Sequence, residues 1–507
     1  MLVKPLIKPT NQKSWTSRHN TFTQKLDNLL EMRNSETGNV TDDYNTMTKT
    51  VQDLIGKAIK AQVRIRALGG GWSFTKVAAT EGWLLDTKQL NMKFTIGKAS
   101  TSNAYAGKHT DLLFAQCGNS VKEINDFLKK QNRSLKTSGA SNGQTIVGAF
   151  STGTHGSAID FGATPDFIVG LHIIISKERH VYLERASYPV VSPALIQKLQ
   201  TELVQDDDLF NAALVSFGSF GFIHGVMIET EELYLLECYR QRLPLDAALK
   251  KVMDTLDFSG AVFLPYKSER PCCFQVVVNQ YDMAGGVYVD TKYKRPYHTN
   301  YVPPPKNTEQ AGPGDDLPTF VGKLTELFPS VTHLIVNQLI KISYTTVDKV
   351  FGTLGEIFYN TDTRGKVLST AIGIPISFVT QVNDLLVTLN KKHGPFAGIL
   401  SYRYVKKTEA LLGFTKFGHT CILELDGVES SFTRKFYDIV WKELEARNIP
   451  HSFHWGKINN LNITKTKKMY GTNRDKWLAA RNKLLPPTSM AIFTNQLLTD
   501  IGLDKTV

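Results

Sequence analysis

Cysteine is scarce in this chain. Its five positions, Cys117, Cys238, Cys272, Cys273 and Cys421, form neither a disulfide framework nor a CxxC metal site. Cys272 and Cys273 are adjacent, and neighbouring cysteines seldom pair. No apolar run reaches the length of a membrane span, and Met1 to Thr10 holds two prolines and two lysines where a secretory leader has an apolar core. These absences point to a soluble, reduced, cytoplasmic protein. Charge of one sign is not concentrated either. The chain has 59 basic and 47 acidic side chains, a net +12, but the only notable run is Lys465-Thr466-Lys467-Lys468. Without a basic stripe or basic-aromatic module, nucleic acid is not an expected partner, and the charge reads as a basic surface that can steer an anionic substrate. Neither GxGxxG nor GxxxxGK[ST] is present, and no internal repeat stands out.

What is present is globular. At 507 residues, 42% hydrophobic and 21% charged, the chain can build two or three domains with real cores. Gln62 to Leu68 alternates with period two and breaks into three glycines. Extended structure resumes at Trp83 to Asp86 and again at Leu112 to Ala115. Ser120 and Glu123 form a capping box ahead of a helix carrying Val121, Ile124, Phe127 and Leu128. Phe167 to Ile175 reads as a buried strand in which His172 is structural, Asp206 to Leu214 as a helix, and Phe222 to Ile228 as a strand after the Gly218 and Gly221 turn. Beyond about 238 the helices lengthen: 245–256, 378–389 and 431–447. Strands are expected at 261–264 and 274–279. Residues 286–317, with five prolines, read as an excursion or lid. A basic, apolar helix at 475–485 ends at Pro486-Pro487.

Two glycine-rich segments carry the chemistry. The first is Arg66-Ala67-Leu68-Gly69-Gly70-Gly71-Trp72-Ser73-Phe74. The second runs from Thr137-Ser138-Gly139 through Gln144-Thr145-Ile146-Val147-Gly148 to Thr152-Gly153-Thr154-His155-Gly156. Bare backbone amides and small hydroxyls of this kind wrap a large anion such as a diphosphate. No helix pattern follows the first loop, so the phosphate site is not of the Rossmann kind.

With Asp208-Leu209-Phe210, Ser216-Phe217-Gly218-Ser219-Phe220-Gly221 and Phe453-His454-Trp455-Gly456-Lys457 following in order, the chain resembles the vanillyl-alcohol-oxidase type of FAD flavoprotein, with its PCMH-type FAD-binding module. Its C-terminal half is most similar to the aldonolactone and alditol oxidase branch. The resemblance covers most of 50–235 and 395–500, and 236–395 carries almost no signal. It implies an α+β fold: an FAD-binding domain of two α+β subdomains (1–237), a substrate domain with a large antiparallel sheet flanked by helices (238–455), and a C-terminal return to the FAD-binding domain (456–507). It implies FAD wrapped by Ala67, Leu68, Gly69, Gly70, Gly71, Trp72 and Ser73. Further contacts fall to Gly139, Ala140, Thr145, Gly148, Thr152, Gly153, Thr154 and His155, and to the backbone of Ile223 at the adenine end. The implied activity is oxidation of a CH–OH group by hydride transfer to flavin N5, with dioxygen as acceptor giving hydrogen peroxide. The substrate is a small-molecule alcohol: a sugar, lactone, polyol or bulkier secondary alcohol. A dehydrogenase using another acceptor, and a flavin-binding protein without turnover, stay open.

The departures from the pattern are informative. Many relatives carry a histidine that bonds covalently to the flavin, and here that position is Trp72, which is no comparable nucleophile. FAD is therefore expected to be non-covalent, with Trp72 near the dimethylbenzene edge. Gly139 matches a position where alanine hinders dioxygen and glycine goes with oxidase behaviour. Arg403 and Lys457 match two catalytic cations of the branch, suited to stabilising negative charge on the reduced flavin. The glutamate expected two residues before that arginine is Ser401, the branch's active-site serine falls on Ala140, and Glu424 and Asp426 replace a histidine and a threonine. Alcohol oxidation needs a base for the hydroxyl proton, and Glu424 is the best candidate by position. The alternatives are an ion pair with Arg403 or Lys457 or a solvent-facing charge, with His419, His451 and His454 as other bases.

Overall fold

The computed structural model describes residues 6–304, 317–359 and 366–504. The chain opens with a small sheet in which Asn28–Arg33, Trp83–Gln89 and Ile65–Leu68 run parallel, with Ile7–Pro9 antiparallel at the edge. Helix Val40–Ala61 connects its strands. Asn39 caps it by accepting the Thr41 and Asp42 amides, and Met47, Val51, Leu54, Ile55 and Ala58 form its buried stripe. A second sheet of six strands is centred on Ile168–Ile174, flanked by His180–Glu184 and Phe222–Glu229. All seven residues of the central strand are buried. There His172 meets the Tyr44 hydroxyl at 2.6 Å and His180 at 2.8 Å, and burial holds it neutral, which makes it structural as expected. The Ser120 capping box is also formed: Ser120 Oγ accepts the Glu123 amide at 3.1 Å, and Glu123 accepts the Ser120 amide at 2.7 Å.

The third sheet has eight strands. Its interior order is Tyr234–Leu243, Val287–Pro296, Cys273–Val278, Gly398–Lys406, His419–Val428 and Val367–Pro375, every pair antiparallel, with Val347–Gly352 and Ser452–Phe453 at the edges. Side chains alternate between its faces. Tyr402, Tyr404, Leu423, Leu425, Ile372 and Ile374 pack against helices Ala247–Thr255, Val379–His393 and Ser431–Ala446. The other face presents Ser369, Arg403, Glu424 and Asp426 to a cavity shared with the glycine loops. The expected α+β architecture with a large, helix-flanked antiparallel sheet is what the chain forms.

Two expectations are corrected. Residues 261–264 are turns, not a strand: Ala261 N bonds Phe258 O and Leu264 N bonds Ala261 O, so the buried Phe258, Ala261 and Leu264 recur every three residues rather than every two. The supposed excursion at 286–317 begins with the ten-residue strand Val287–Pro296, paired on both sides. Its polarity misled the sequence reading, because Asp290, Thr291 and Lys292 are buried in the sheet. Residues 305–316 of that segment lie outside the described residues. No described helix is long and apolar enough to cross a membrane.

After the eight-stranded sheet, helices Ile463–Tyr470 and Thr472–Leu484 pack back against the first half. Trp477 is fully buried there, donating Nε1–H to Val215 O at 3.0 Å and meeting the Phe220 ring edge-on at 5.0 Å. Arg481 Nε donates to Ser219 O at 3.0 Å. Trp477→Ala is expected to cost about 3–5 kcal/mol, the range for deleting a buried tryptophan, read as a lower denaturant midpoint at an unchanged slope.

Candidate functional site

The open face of the large sheet and the two glycine segments enclose a cavity of about 560 Å³. Ala67, Leu68, Gly69, Gly70, Gly71, Trp72 and Ser73 line one wall, joined by Gly139, Ala140, Thr145, Gly148, Thr152, Thr154, His155 and Ile223. Arg403, Glu424, Lys457 and His454 line the opposite wall. Of the expected site residues only Gly153 stands back from it, at φ +77° beside the Phe414 ring. His419 and His451 also stay outside, the latter donating Nδ1–H to Ile449 O at 2.8 Å.

The glycines of the first loop are needed for closeness. A Cβ on Gly69 would lie 2.0 Å from Thr145 Oγ1, and one on Gly70 would lie 2.7 Å from Gly143 O. Thr145 caps helix Ile146–Ser151, and its hydroxyl accepts the Gly148 amide at 3.4 Å. Arg66 is buried on the cavity wall and donates to Gly218 O at 3.2 Å and Val77 O at 2.6 Å. Its Nε has no partner, and it forms no salt bridge among the described residues. Burial and nearby Arg481 lower it to about 9. A buried cation without a counter-charge is costly, and a bound anion relieves that cost. Trp72 Nε1 and Gln144 Oε1, both on the wall, are likewise unpartnered. A close backbone cradle, unmet polar atoms and a lone buried cation together fit a diphosphate-bearing cofactor.

The charged wall follows from strand register. Ser369 pairs with Asp426, and both Ala371 and Ser401 pair with Glu424. Arg403, two residues beyond Ser401 on the same strand, reaches Glu424 Oε2 through Nη2 at 2.7 Å. The sequence reading left an ion pair with Arg403 open as an alternative for Glu424, and this pair is formed. Glu424 Oε1 also faces His155 Nε2 at 3.8 Å. His155 donates Nδ1–H to Gly156 O at 3.1 Å, so Nε2 carries the lone pair in the neutral ring. Burial, with Arg403 close by, holds that imidazole down to about 3. His454 is held neutral in the same way, and its Nδ1 accepts the Gly456 amide at 3.0 Å, a structural bond.

Lys457 donates to Ser369 Oγ at 3.0 Å, and Ser369 donates to Asp426 Oδ1 at 2.5 Å. Asp426 is open to the cavity, with 42% of its side chain accessible against 5% for Glu424. Desolvation and the Glu424 charge nonetheless push its carboxyl above the usual range. Lys457 also sits 4.9 Å from the Phe74 ring, which stacks on His19 at 4.4 Å. Burial and the Lys457 charge lower His19 to about 4. Sequence reasoning missed Arg66 as a site residue, and missed altogether Ser369, His19 and Trp15, all three of which also line the cavity. Arg66 adjoins a recognised loop and was legible as a cation there. The other three sit in no motif.

Beyond the charged group the walls are apolar. Helix Leu317–Leu327 contributes Val321, helix Thr332–Ser343 contributes Val336, Leu339 and Ile340, and the large sheet adds Val367, Ile399 and Val428.

Residues 45–183 match the FAD binding domain family, which bears out the resemblance drawn from the glycine motifs: this segment is an FAD-binding domain. The chain is 27% identical over 212 residues to L-gulono-1,4-lactone dehydrogenase of Mycobacterium tuberculosis, covering 42% of each protein. It is 24% identical over 256 residues to a putative D-arabinono-1,4-lactone oxidase of Neurospora crassa, covering 50% of this chain and 40% of that one. The aligned region thus spans about two-fifths of the length of these relatives. Among solved structures, cholesterol oxidase from B. sterolicum has the same fold, with a TM-score of 0.69 at 14% identity over 98% of this chain and 97% of that one.

The collision at Gly69 makes a direct test of the cradle. Gly69→Ala forces the loop from Thr145 and is expected to weaken FAD binding about tenfold or more, from a steric cost of about 1–3 kcal/mol. Flavin-fluorescence titration of apoprotein measures it, and an unchanged Kd would remove the loop from the binding site.

Proposed function

We propose that this protein is an FAD-dependent oxidoreductase that oxidises a CH–OH group on a substrate with an apolar body. One observation carries the reading: the cavity has ionisable side chains, Arg403, Glu424, Asp426 and Lys457, on one wall and aliphatic walls beyond. A hydroxyl seated among the charges leaves the rest of the molecule against Val336, Leu339, Ile340 and Ile399. This favours a bulky secondary alcohol over a sugar or polyol, whose many hydroxyls would find few partners there. Bound flavin supplies the two-electron acceptor.

The chain's own residues deal with proton and charge. Glu424 takes the hydroxyl proton, aimed by its contact with Arg403, and neutral His155 Nε2 lies in line behind it. Arg403 and Lys457 are fixed cations that stabilise negative charge as electrons arrive. The aliphatic wall keeps water from the reacting carbon. A second reading gives the base role to Asp426. Its carboxyl is pushed upward by burial and the Glu424 charge, it is open to the cavity, and its partner Ser369 links it to Lys457.

Dioxygen is the proposed acceptor, supported by bare backbone at Gly139 on the cavity wall. FAD is proposed to be non-covalent, supported by Trp72 in the first loop and the lack of cysteine in either glycine segment. Arg18 lies 4.4 Å over the Trp72 ring, which favours a packing role for that indole. The FAD-binding part of this proposed enzyme ends at 237, the substrate part spans 238–455, and 456–507 returns to the first. Strand Tyr234–Leu243 crosses the first boundary. The free cysteines support a cytoplasmic setting.

Anaerobic mixing with apolar secondary alcohols is expected to bleach the flavin absorbance. Glu424→Gln should slow that bleaching about tenfold or more, and Asp426→Asn should slow it less. The reverse order moves the base to Asp426, and no bleaching by any alcohol, sugar or lactone would sink the oxidoreductase reading. Acid precipitation is expected to release all the FAD into the supernatant, whereas fluorescence retained on the polypeptide would show a covalent link.

A further inference from the structure

A second cluster of reactive groups lies outside the cavity. Strand register sets Lys292 opposite Cys238 on one side and Cys273 on the other. The three side chains therefore form a row across one face of the large sheet. All are buried: Cys273 is 7%, Lys292 8% and Cys238 9% exposed. Cys272 completes the cluster, its Sγ 3.9 Å from that of Cys273, and it is only half-buried.

The lysine shares its carboxylate with an arginine. Among the described residues it forms no salt bridge, and Asp290, two residues away on the same face, is engaged by Arg240 Nε at 2.9 Å. Phe358 covers the ammonium, with its ring 5.7 Å away. A buried ammonium needs a neighbouring anion, and an ionised thiol can provide it. The charges line up that way. The bond from Cys272, helped by Lys292 and the Ser157 hydroxyl, draws the Cys273 thiol below its ordinary range. Burial pushes Cys238 up to about 12. Despite burial, the Asp290 charge, with Cys273 beside it, raises Lys292 above its ordinary range.

We infer that Cys273 is a peroxide-reactive thiolate paired with the Lys292 ammonium. Its sulfur attacks one oxygen of hydrogen peroxide, an S–O bond forms as the O–O bond breaks, and hydroxide leaves and is protonated to water. Sulfur is oxidised by two electrons to a sulfenic acid, and the peroxide oxygen is reduced. The site is well placed to matter. Ala158 bridges Cys273, and the Ile159 amide donates to Cys272 O at 2.9 Å, so the cysteines anchor the segment that carries His155 into the cavity. The inference does not depend on which alcohol is oxidised, because the peroxide is added.

The test uses the FAD-loaded native protein, exposed to hydrogen peroxide with a dimedone-type sulfenic acid probe and mapped by peptide mass spectrometry. The adduct is expected on Cys273, absent in Cys273→Ser, and reduced about tenfold or more in Lys292→Met, where the counter-charge is gone. A second measurement needs no variant: alkylation of Cys273 by iodoacetamide should reach half its maximal rate well below the ordinary thiol value of about 8.5. An adduct on Cys272 alone, an equal yield in Lys292→Met, or alkylation that rises only in the ordinary thiol range would each overturn the inference.

Discussion

The antiparallel register of the eight-stranded sheet is the constraint on which the site depends. Three adjacent strands, Gly398–Lys406, His419–Val428 and Val367–Pro375, are locked so that Arg403, Glu424, Asp426 and Ser369 share one face. Alternation sends Tyr402, Leu423, Leu425 and Ile372 to the other face, where they bury against helices. A slip of one residue would exchange the faces, placing four polar groups in an apolar core and the core residues in the cavity. The burial that stabilises the sheet is thus also what fixes the charged wall.

A second tie joins that wall to the glycine loops. The Phe74 amide donates to Gly456 O at 2.7 Å, and the Thr75 hydroxyl donates to Trp455 O at 2.7 Å. Trp455 is itself held by its Nε1–H on Leu412 O at 2.7 Å and by the stacked Tyr470 ring. These bonds bring segments nearly four hundred residues apart in sequence into contact, and they set Lys457 over the Phe74 ring. The chain then returns through Trp477 and Arg481 to the core of the first half, closing the structure around the cavity.

Desolvation shapes the chemistry of the wall. His19, His155 and His454 are all held neutral by burial and nearby cations, so the lasting positive charges around the cavity are Arg and Lys side chains. Desolvation, with repulsion from Glu424 two residues away on the same strand, raises Asp426. The same physics acts at the thiol cluster, where a bond from Cys272 and the Lys292 charge lower a neighbouring thiol against its own burial. In both places a β-strand row brings ionisable groups closer together than water would leave them.

The glycine segments were legible because their chemistry is local. Contact at 2.0 Å between a Gly69 Cβ and Thr145 Oγ1 tolerates no side chain, so the requirement is written in the residues themselves. The Ser120 capping box and the buried 168–174 strand were legible for the same reason: caps and periods act within a few residues. Residues 236–395 were opaque because their strands bury Asp290, Thr291 and Lys292 and so lack clean alternation. The sequence alone determined the glycine-rich loops, the presence of Arg403 and Lys457, and a tryptophan at position 72. Tertiary structure alone decided that Glu424 pairs with Arg403, that Ser369 joins Lys457 to Asp426, and that helix 332–343 gives the cavity an apolar wall. Those are contacts between strands and helices distant in the chain, set by register and packing.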